Sequence, residues 1–335
     1  MNLEKWKKAV INLEGAADSQ SPYKSHFQIR ELSEKMNSGE LTKEEFDVQM
    51  DQMFSDYSHV SRDLRYKGTA IFFKKNNDYY LLTARHVLID KEGGQHLSEL
   101  LTRNLSKIPE GFYKDSKIRL GAESKHNTVF SIFFRIPSLE EMRNGNINPP
   151  VLMNLQAGSP QVQRLTLSDE ELDLGVISLN YTIERRFLNN LLENGYVPIE
   201  PEDITEEPTR EGEDIFTVGY PVSVSWLGEL GKDDATKNWG SDSYSLPAFS
   251  FGKISMLSDQ LNYFWGDITI NPGNSGGPII ENDKMVGIVS AQATYNDVGI
   301  PCGMGIKAKF INHLITEQEQ KDKFLNQFQP PEVTQ

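Results

Sequence analysis

The chain keeps interrupting its own apolar runs. "AVINL", "GTAIFF", "DYYLLTARHV", "VFSIFFRI", "LGVISL", "DIFTVGY", "PAFSFGKIS", "YFWGDITI", "GPIIEN", "KMVGIVSA" and "CGMGIKA" are each bounded by Gly, Pro, Asn, Asp or charged residues. Runs this short, rich in Val, Ile, Phe and Tyr, read as strands, and the turn residues between them deny any one run the length of a helix. Many short strands separated by turns leave a sandwich or a barrel, and there are enough of them for two barrels. Two stretches break the pattern. "ERRFLNNLLENG" reads as a helix between the halves, and "AKFINHLITEQEQKDKFLNQF" as a C-terminal helical segment before the tail "QPPEVTQ", which is expected to be disordered.

A helical hairpin is predicted over residues 27–54. Ile29, Leu32 and Met36 share one helical face, and Gly39 in "NSGE" reads as a stop. Thr42 and Glu45 then form a capping box ahead of Phe46, Met50, Met53 and Phe54 at helical spacing. The pattern over 29–54 resembles the short helical module at the ends of bacterial proteins (SHOCT-like). A plain surface helical insertion is the alternative.

Charge narrows the partners. The formal net charge of −14 argues against nucleic acid or an anionic membrane surface, both of which reward basic residues. The single cysteine, Cys302, rules out an intramolecular disulfide and fits a reducing compartment, although a disulfide-free secreted protein would look the same. No stretch has the uninterrupted apolar length of a signal core or a membrane span, so the expected location is cytoplasmic.

Chemistry-bearing residues stand at the edges of the strand runs. Of six histidines, His86 alone ends a strongly apolar run, "YYLLTARHV", which puts it at a sheet rim; a buried structural histidine is the other reading. Asp173, between Leu172 and Leu174, directly precedes the apolar "LGVISL", where a carboxylate could orient an imidazole. Alone it reads equally as a turn residue, and Asp169 is the next candidate. In "INPGNSGGPIIEN", glycines crowd around Ser275. A nucleophilic serine needs two backbone N–H groups aimed at the developing oxyanion, and Gly273 and Ser275, with Asn274 at the bend, could supply them.

"TARHV", "DLGVISL" and "PGNSGGP" resemble the three catalytic blocks of trypsin-like serine peptidases, in the order His, Asp, Ser. The match is closest to the disulfide-free bacterial branch that includes HtrA-type peptidases, and it spans residues 66–90 and 170–315. The resemblance implies a mainly β fold of two six-stranded antiparallel β-barrels of chymotrypsin type, with an inserted N-terminal helical hairpin and a C-terminal helix. The implied division is an N-terminal barrel over 1–185, interrupted at about 20–60 and about 91–168, a C-terminal barrel with helix over 186–320, and a helical or disordered tail over 321–335.

The resemblance also assigns roles. Ser275 is the nucleophile, His86 the base, Asp173 the orienting acid, and the amides of Gly273 and Ser275 the oxyanion hole. Ser290, Ala291 and Gln292 lie along the strand that receives a substrate peptide. Thr269 stands where trypsin carries its pocket aspartate, so a strict Arg/Lys preference is not implied. Ala291, Ala293, Gly303 and Gly305 point to an uncharged pocket. Asp267 is expected to be structural.

Other features depart from the family pattern. Asn274 replaces the aspartate that receives a new N-terminus in trypsin, so zymogen activation is not expected. His86 and Asp173 are 87 residues apart, which requires a large insertion. A second insertion, 225–246, and the hairpin 27–54 are candidate contact points for a regulatory protein. No PDZ-like domain is expected after the barrels, so the regulation such a domain brings is not implied. The expected function is a selective, regulated serine endopeptidase acting on protein or peptide substrates, with no metal or cofactor. The alternatives are a catalytically silent peptide-binding scaffold and an esterase or acyl-transfer enzyme on the same fold.

Overall fold

The computed structural model describes residues 2–17, 31–58, 63–89, 131–135, 151–152, 164–180, 182–222, 225–227, 243–245, 247–296 and 298–326. Helix α1 (Leu3–Ala9) opens the chain and runs directly into β1 (Val10–Ala17). The α1 signals are local: Asn2 accepts a hydrogen bond from the Lys5 amide, Glu4 lies in the first turn, and Lys7 and Lys8 lie in the last. Residues 31–37 are helical, and α2 spans Lys43–Ser58. The predicted capping box is present: the Thr42 amide donates to Glu45 Oε2 (2.9 Å) and the Glu45 amide to Thr42 Oγ1 (3.2 Å). Gly39 takes φ +79° at the predicted stop.

Strands β2 (Asp63–Lys75), β3 (Asp78–Ala84), β4 (Ser131–Arg135), β5 (Val151–Leu152), β6 (Leu165–Leu167) and β7 (Leu174–Ser178) join β1 in one antiparallel sheet, in the order β5-β4-β1-β2-β3-β7-β6. It has seven strands where six were expected. Both faces are covered. Ala70 and Phe72 of β2 pack with Leu81, Ile177 and, from helix α4 (Thr182–Glu193), Phe187 and Leu191. Their neighbours Ile71 and Phe73 face the opposite side, toward Leu82, Val176, Phe216 and Ile288. Burial on both faces is why these runs are apolar at nearly every residue rather than alternating.

The second half closes on itself. After β8 (Asp214–Gly219), β9 (Ser225–Leu227) and β10 (Ser243–Ser245) pair as a small ribbon within the predicted 225–246 insertion. Strands β11 (Ala248–Met256), β12 (Tyr263–Asp267), β13 (Pro278–Glu281), β14 (Lys284–Tyr295) and β15 (Val298–Lys307) then form a six-stranded barrel with β8, in the order β11-β12-β15-β14-β13-β8. Ile215, Ile254, Phe264, Ile279 and Val289 fill it. The cluster on the Ile71–Phe73 side of the sheet also joins sheet to barrel: it includes Trp6, Val10, Ile199, Val218, Tyr220 and Met285, with Ile311, Leu314 and Ile315 of helix α5 (Ile311–Asn326).

Helix α5 docks on the sheet through buried polar groups as well. Ser178 Oγ donates to Asp322 Oδ2 (2.6 Å) and Thr166 Oγ1 to Gln318 Oε1 (2.8 Å). Residues 321–326 of the expected tail therefore continue a packed helix. Residues 327–335, Ile29 and most of the expected 91–168 and 225–246 insertions lie outside the described residues.

Candidate active site

His86 is the second residue of a one-turn helix, α3 (Arg85–Leu88), which begins where β3 ends. Strand β3 pairs with β7 so that Ala84 stands opposite Leu174, and this register brings Asp173 beside Arg85 and His86. The Arg85 amide donates to the Asp173 carbonyl (3.0 Å) and the His86 amide to Asp173 Oδ1 (2.8 Å). His86 Nδ1 lies 2.7 Å from Asp173 Oδ2. One carboxylate thus holds both the backbone and the ring of one histidine. An ionised carboxylate can only accept, so Nδ1 carries the proton and Nε2 is the nitrogen able to act as a base.

Asp173 has φ +46°, a left-handed conformation that Asp and Asn tolerate better than most residues. The turn ahead of β7 holds it there. Asp173 N donates to the Asp169 carbonyl (3.2 Å), Leu172 N to Asp169 Oδ1 (2.9 Å) and Leu174 N to Ser168 Oγ (2.8 Å). Asp169, the alternative acid, is a turn builder.

The barrel reaches the same carboxylate. Ser290 Oγ on β14 donates to Asp173 Oδ2 (2.5 Å), and the Ser290 carbonyl accepts from Ser275 Oγ at 3.4 Å. His86, Asp173, Ser290 and Ser275 therefore form a continuous chain of contacts across the sheet–barrel boundary. Ser290, expected along a peptide-receiving strand, turns its hydroxyl to the acid. Beyond Val289, one edge of β14 has no strand partner among the described residues, while its other edge pairs with β15. Ala291 and Gln292 are half-buried on this segment.

Between Asn271 and Gly277 the peptide planes are anchored one by one. The Pro272 carbonyl accepts from Val222 N (2.8 Å), and the Asn274 carbonyl from Gly277 N (2.9 Å). In a trans peptide the N–H points opposite to its own carbonyl, so these bonds turn the Gly273 and Ser275 amides away from both partners. Neither amide donates a hydrogen bond among the described residues, whereas those of Asn274, Gly276 and Gly277 all do. Gly273 has φ +98°, and a Cβ there would lie 2.2 Å from the Tyr220 carbonyl. Gly276 has φ +86°, and its Cβ would lie 2.1 Å from the Thr69 carbonyl. These two positions require glycine on conformation and on space.

The residues expected around the pocket lie at the rim and inside of the barrel. Thr269 is exposed between buried Ile268 and Ile270. A Cβ on Gly303 would meet Ile270 Cδ1 at 2.1 Å, and one on Gly305 would meet Ile279 and Phe264 inside the barrel. Gly305 thus gives room to the barrel side chains Ile279 and Phe264. Gln292 Nε2 donates to the Ile300 carbonyl (3.1 Å). The Cys302 thiol is pushed up by burial and by the negative charge of Asp267. Among the described residues, no group of three or more His, Cys, Asp or Glu could hold a metal.

Thr69, fully buried on β2, escaped the sequence reading. Its amide donates to the Ser275 carbonyl (2.8 Å) and its hydroxyl to the Gly273 carbonyl (2.8 Å), while Tyr220 N donates to that hydroxyl (3.0 Å). Thr83 Oγ1 in turn donates to the Thr69 carbonyl (2.7 Å). The only signal in the sequence was a hydroxyl inside an otherwise apolar run.

A closed six-stranded barrel beside a second antiparallel sheet, with a His–Asp pair and a glycine-bounded serine at their junction, defines a chymotrypsin-like β-protein. Residues 68–288 match the family model described as the trypsin-like peptidase domain, and the chain belongs to that family. It is 27% identical over 113 residues to a "Serine protease HtrA-like" of Staphylococcus aureus (strain MRSA252), a match covering 33% of this chain and 14% of that protein. The chain thus spans only a small part of that relative's length. Among solved structures, "HtrA-type protease AlgW with tripeptide" superposes with a TM-score of 0.45 at 14% identity, covering 94% of this chain and 61% of that one. A second AlgW structure, with decapeptide, gives 0.43 at 15% identity, covering 95% and 66%.

Proposed function

We propose that this protein is a serine endopeptidase in which Ser275, His86 and Asp173 act together. The observation that carries the proposal is the double hold of Asp173 on the His86 ring and backbone, at 2.7 and 2.8 Å. That hold fixes the tautomer a general base requires. In the reaction, Ser275 Oγ bonds to the scissile carbonyl carbon as His86 Nε2 takes its proton. The carbonyl oxygen gains negative charge and is met by the Gly273 and Ser275 amides, which the loop leaves without internal acceptors. Collapse breaks the C–N bond, and His86 returns the proton to the leaving amine. Water, deprotonated by His86, then bonds to the acyl carbon; the bond from that carbon to Ser275 Oγ breaks, and His86 returns the proton to Oγ.

The substrates are peptides or proteins, and the open edge of β14 at Ser290–Gln292 offers main-chain hydrogen bonds to an extended segment. Exposed Thr269 beside Ile268 and Ile270 gives the neighbouring pocket no charge to select Arg or Lys. Regulation acts through segments outside the two sheets, with 27–54 and 225–246 as the contact points for a partner.

A fluorophosphonate probe tests the reading. It labels the wild type and leaves Ser275→Ala unlabelled, and a peptide pool is cut only by the former. An unlabelled wild type that still binds peptides would identify a silent binding module instead.

A further inference from the structure

We propose that Thr69 is a positioning residue for the oxyanion loop, holding from the sheet the two residues whose amides face the reacting carbonyl; this rests on the peptidase reading above. Four consecutive peptide planes run from Pro272 to Gly276. The carbonyls of two of them, at Pro272 and Asn274, are tied by Val222 N and by the loop's own Gly277 N. Thr69 ties the other two: its hydroxyl holds the Gly273 carbonyl at 2.8 Å and its amide the Ser275 carbonyl at 2.8 Å. One residue of β2, 204 positions away in sequence from Gly273, thus ties the carbonyl side of two of the four planes, whose amide sides donate to the Asn271 and Val289 carbonyls.

The hydroxyl does two jobs at once. It donates to the Gly273 carbonyl and accepts from the Tyr220 amide at 3.0 Å, at a site with no exposure to water that could replace either bond. The surroundings are shaped to it. A Cβ on Gly219 would lie 2.8 Å from Thr69 Oγ1 and 3.1 Å from Asn274 Oδ1, and one on Gly68 would lie 3.2 Å from the Ser275 carbonyl. The backbone bond of Thr69 survives any non-proline substitution, so the hydroxyl contribution can be removed alone. Without it the Gly273–Asn274 plane is held only by the bond from the Asn274 amide to the Asn271 carbonyl (3.0 Å), and the Gly273 amide, whose own plane is tied at the Pro272 carbonyl, loses the support of the plane next to it.

The decisive experiment compares Thr69→Val, Thr69→Ser and wild type on one peptide substrate. Each is also titrated with a peptide boronate, which forms a tetrahedral adduct, and with the cleaved product peptide. Misdirecting one oxyanion donor costs part of the roughly 10²–10³-fold that such a donor supplies. Thr69→Val is therefore expected to lower kcat about 10- to 100-fold with KM within about threefold. Its boronate affinity should fall in parallel while product affinity holds, and Thr69→Ser should restore kcat to within about threefold of wild type. A folded Thr69→Val with wild-type kcat, or one losing boronate and product affinity alike, overturns the proposal. If Thr69→Val does not fold, Thr69→Cys offers a weaker donor of similar size and should show the same pattern at smaller amplitude. Failure of both to fold makes Thr69 a folding residue and also overturns it. A wild type that neither hydrolyses peptide nor accepts a fluorophosphonate sinks the peptidase reading itself, and this inference falls with it.

Discussion

The sheet and the barrel equip the candidate site by different means. The sheet supplies side chains: His86 and Asp173 stand at facing ends of β3 and β7, placed by the pairing of Ala84 with Leu174. The barrel supplies mostly backbone, a loop whose carbonyls are tied so that two amides stay uncommitted, together with the hydroxyls of Ser275 and Ser290. Strand register suits the first task because a sheet rim holds a side chain rigidly. The second needs a chain that turns sharply, which only glycines at 273 and 276 permit. Neither half is chemically complete. The site exists because Thr69 and Ser290 cross the boundary in opposite directions.

The largest effects should come from the sheet side chains. His86→Ala is expected to lower kcat by on the order of 10⁴-fold or more. Asp173→Asn should cost on the order of 10⁴-fold, because the amide favours the wrong imidazole tautomer. Steady-state kinetics on a peptide substrate measures both, and near-normal turnover in Asp173→Asn would shift the acid assignment away from this residue.

Ser290→Ala cuts the barrel's bond to the acid but leaves the His86–Asp173 contact. It is expected to lower kcat about 10-fold, in keeping with the loss of a single hydrogen bond to a charged group. A loss as large as that of Asp173→Asn would mean that the barrel, not the sheet, holds the acid in place.

The smallest effect on activity should come from a barrel ion pair remote from the site. Fully buried Lys307 donates to Glu207 Oε2 (2.9 Å) and to the Ser258 carbonyl (2.8 Å). The Lys307 hydrogen bond holds the Glu207 carboxyl below the usual carboxylate range. Its folded pKa is therefore lower than its unfolded one. The stabilisation is present above the unfolded value and fades as pH falls through the lowered folded value. Glu207→Gln, at a partly exposed carboxylate screened by solvent, should lower stability at pH 7 by about 1 kcal/mol or less and flatten the acid limb of a Tm-against-pH curve, with kcat unchanged. A change in kcat would show the barrel to be less rigid than the sheet.

How legible each half was follows from the same contrast. His86 and Asp173 could be found because apolar runs stop beside them, and the Ser275 loop because glycines cluster there. Thr69 could not, because threonine in "GTAIFF" is an ordinary strand former and its hydroxyl partners come from the other half of the chain. Ser290 was placed on the right strand, but its hydroxyl direction depends on Asp173, 117 residues away. The seventh sheet strand was hidden because β5 and β6, two and three residues long, are too short to carry a period. Helix α1 was missed for a similar reason: seven residues with Trp6 and Ala9 buried show barely two turns of pattern. In the barrel, Gly303 and Gly305 suggested a pocket by composition, whereas Ile270 and Phe264 occupy the space beside them.

The central claim is that sheet and barrel residues act as one chemical unit. It is tested most directly by kcat/KM for His86→Ala, Ser275→Ala and the double variant on the same peptide. A single unit predicts that the double variant is no slower than the worse single one, within about threefold. Losses that multiply, leaving the double variant thousands of times slower than either single, would contradict it.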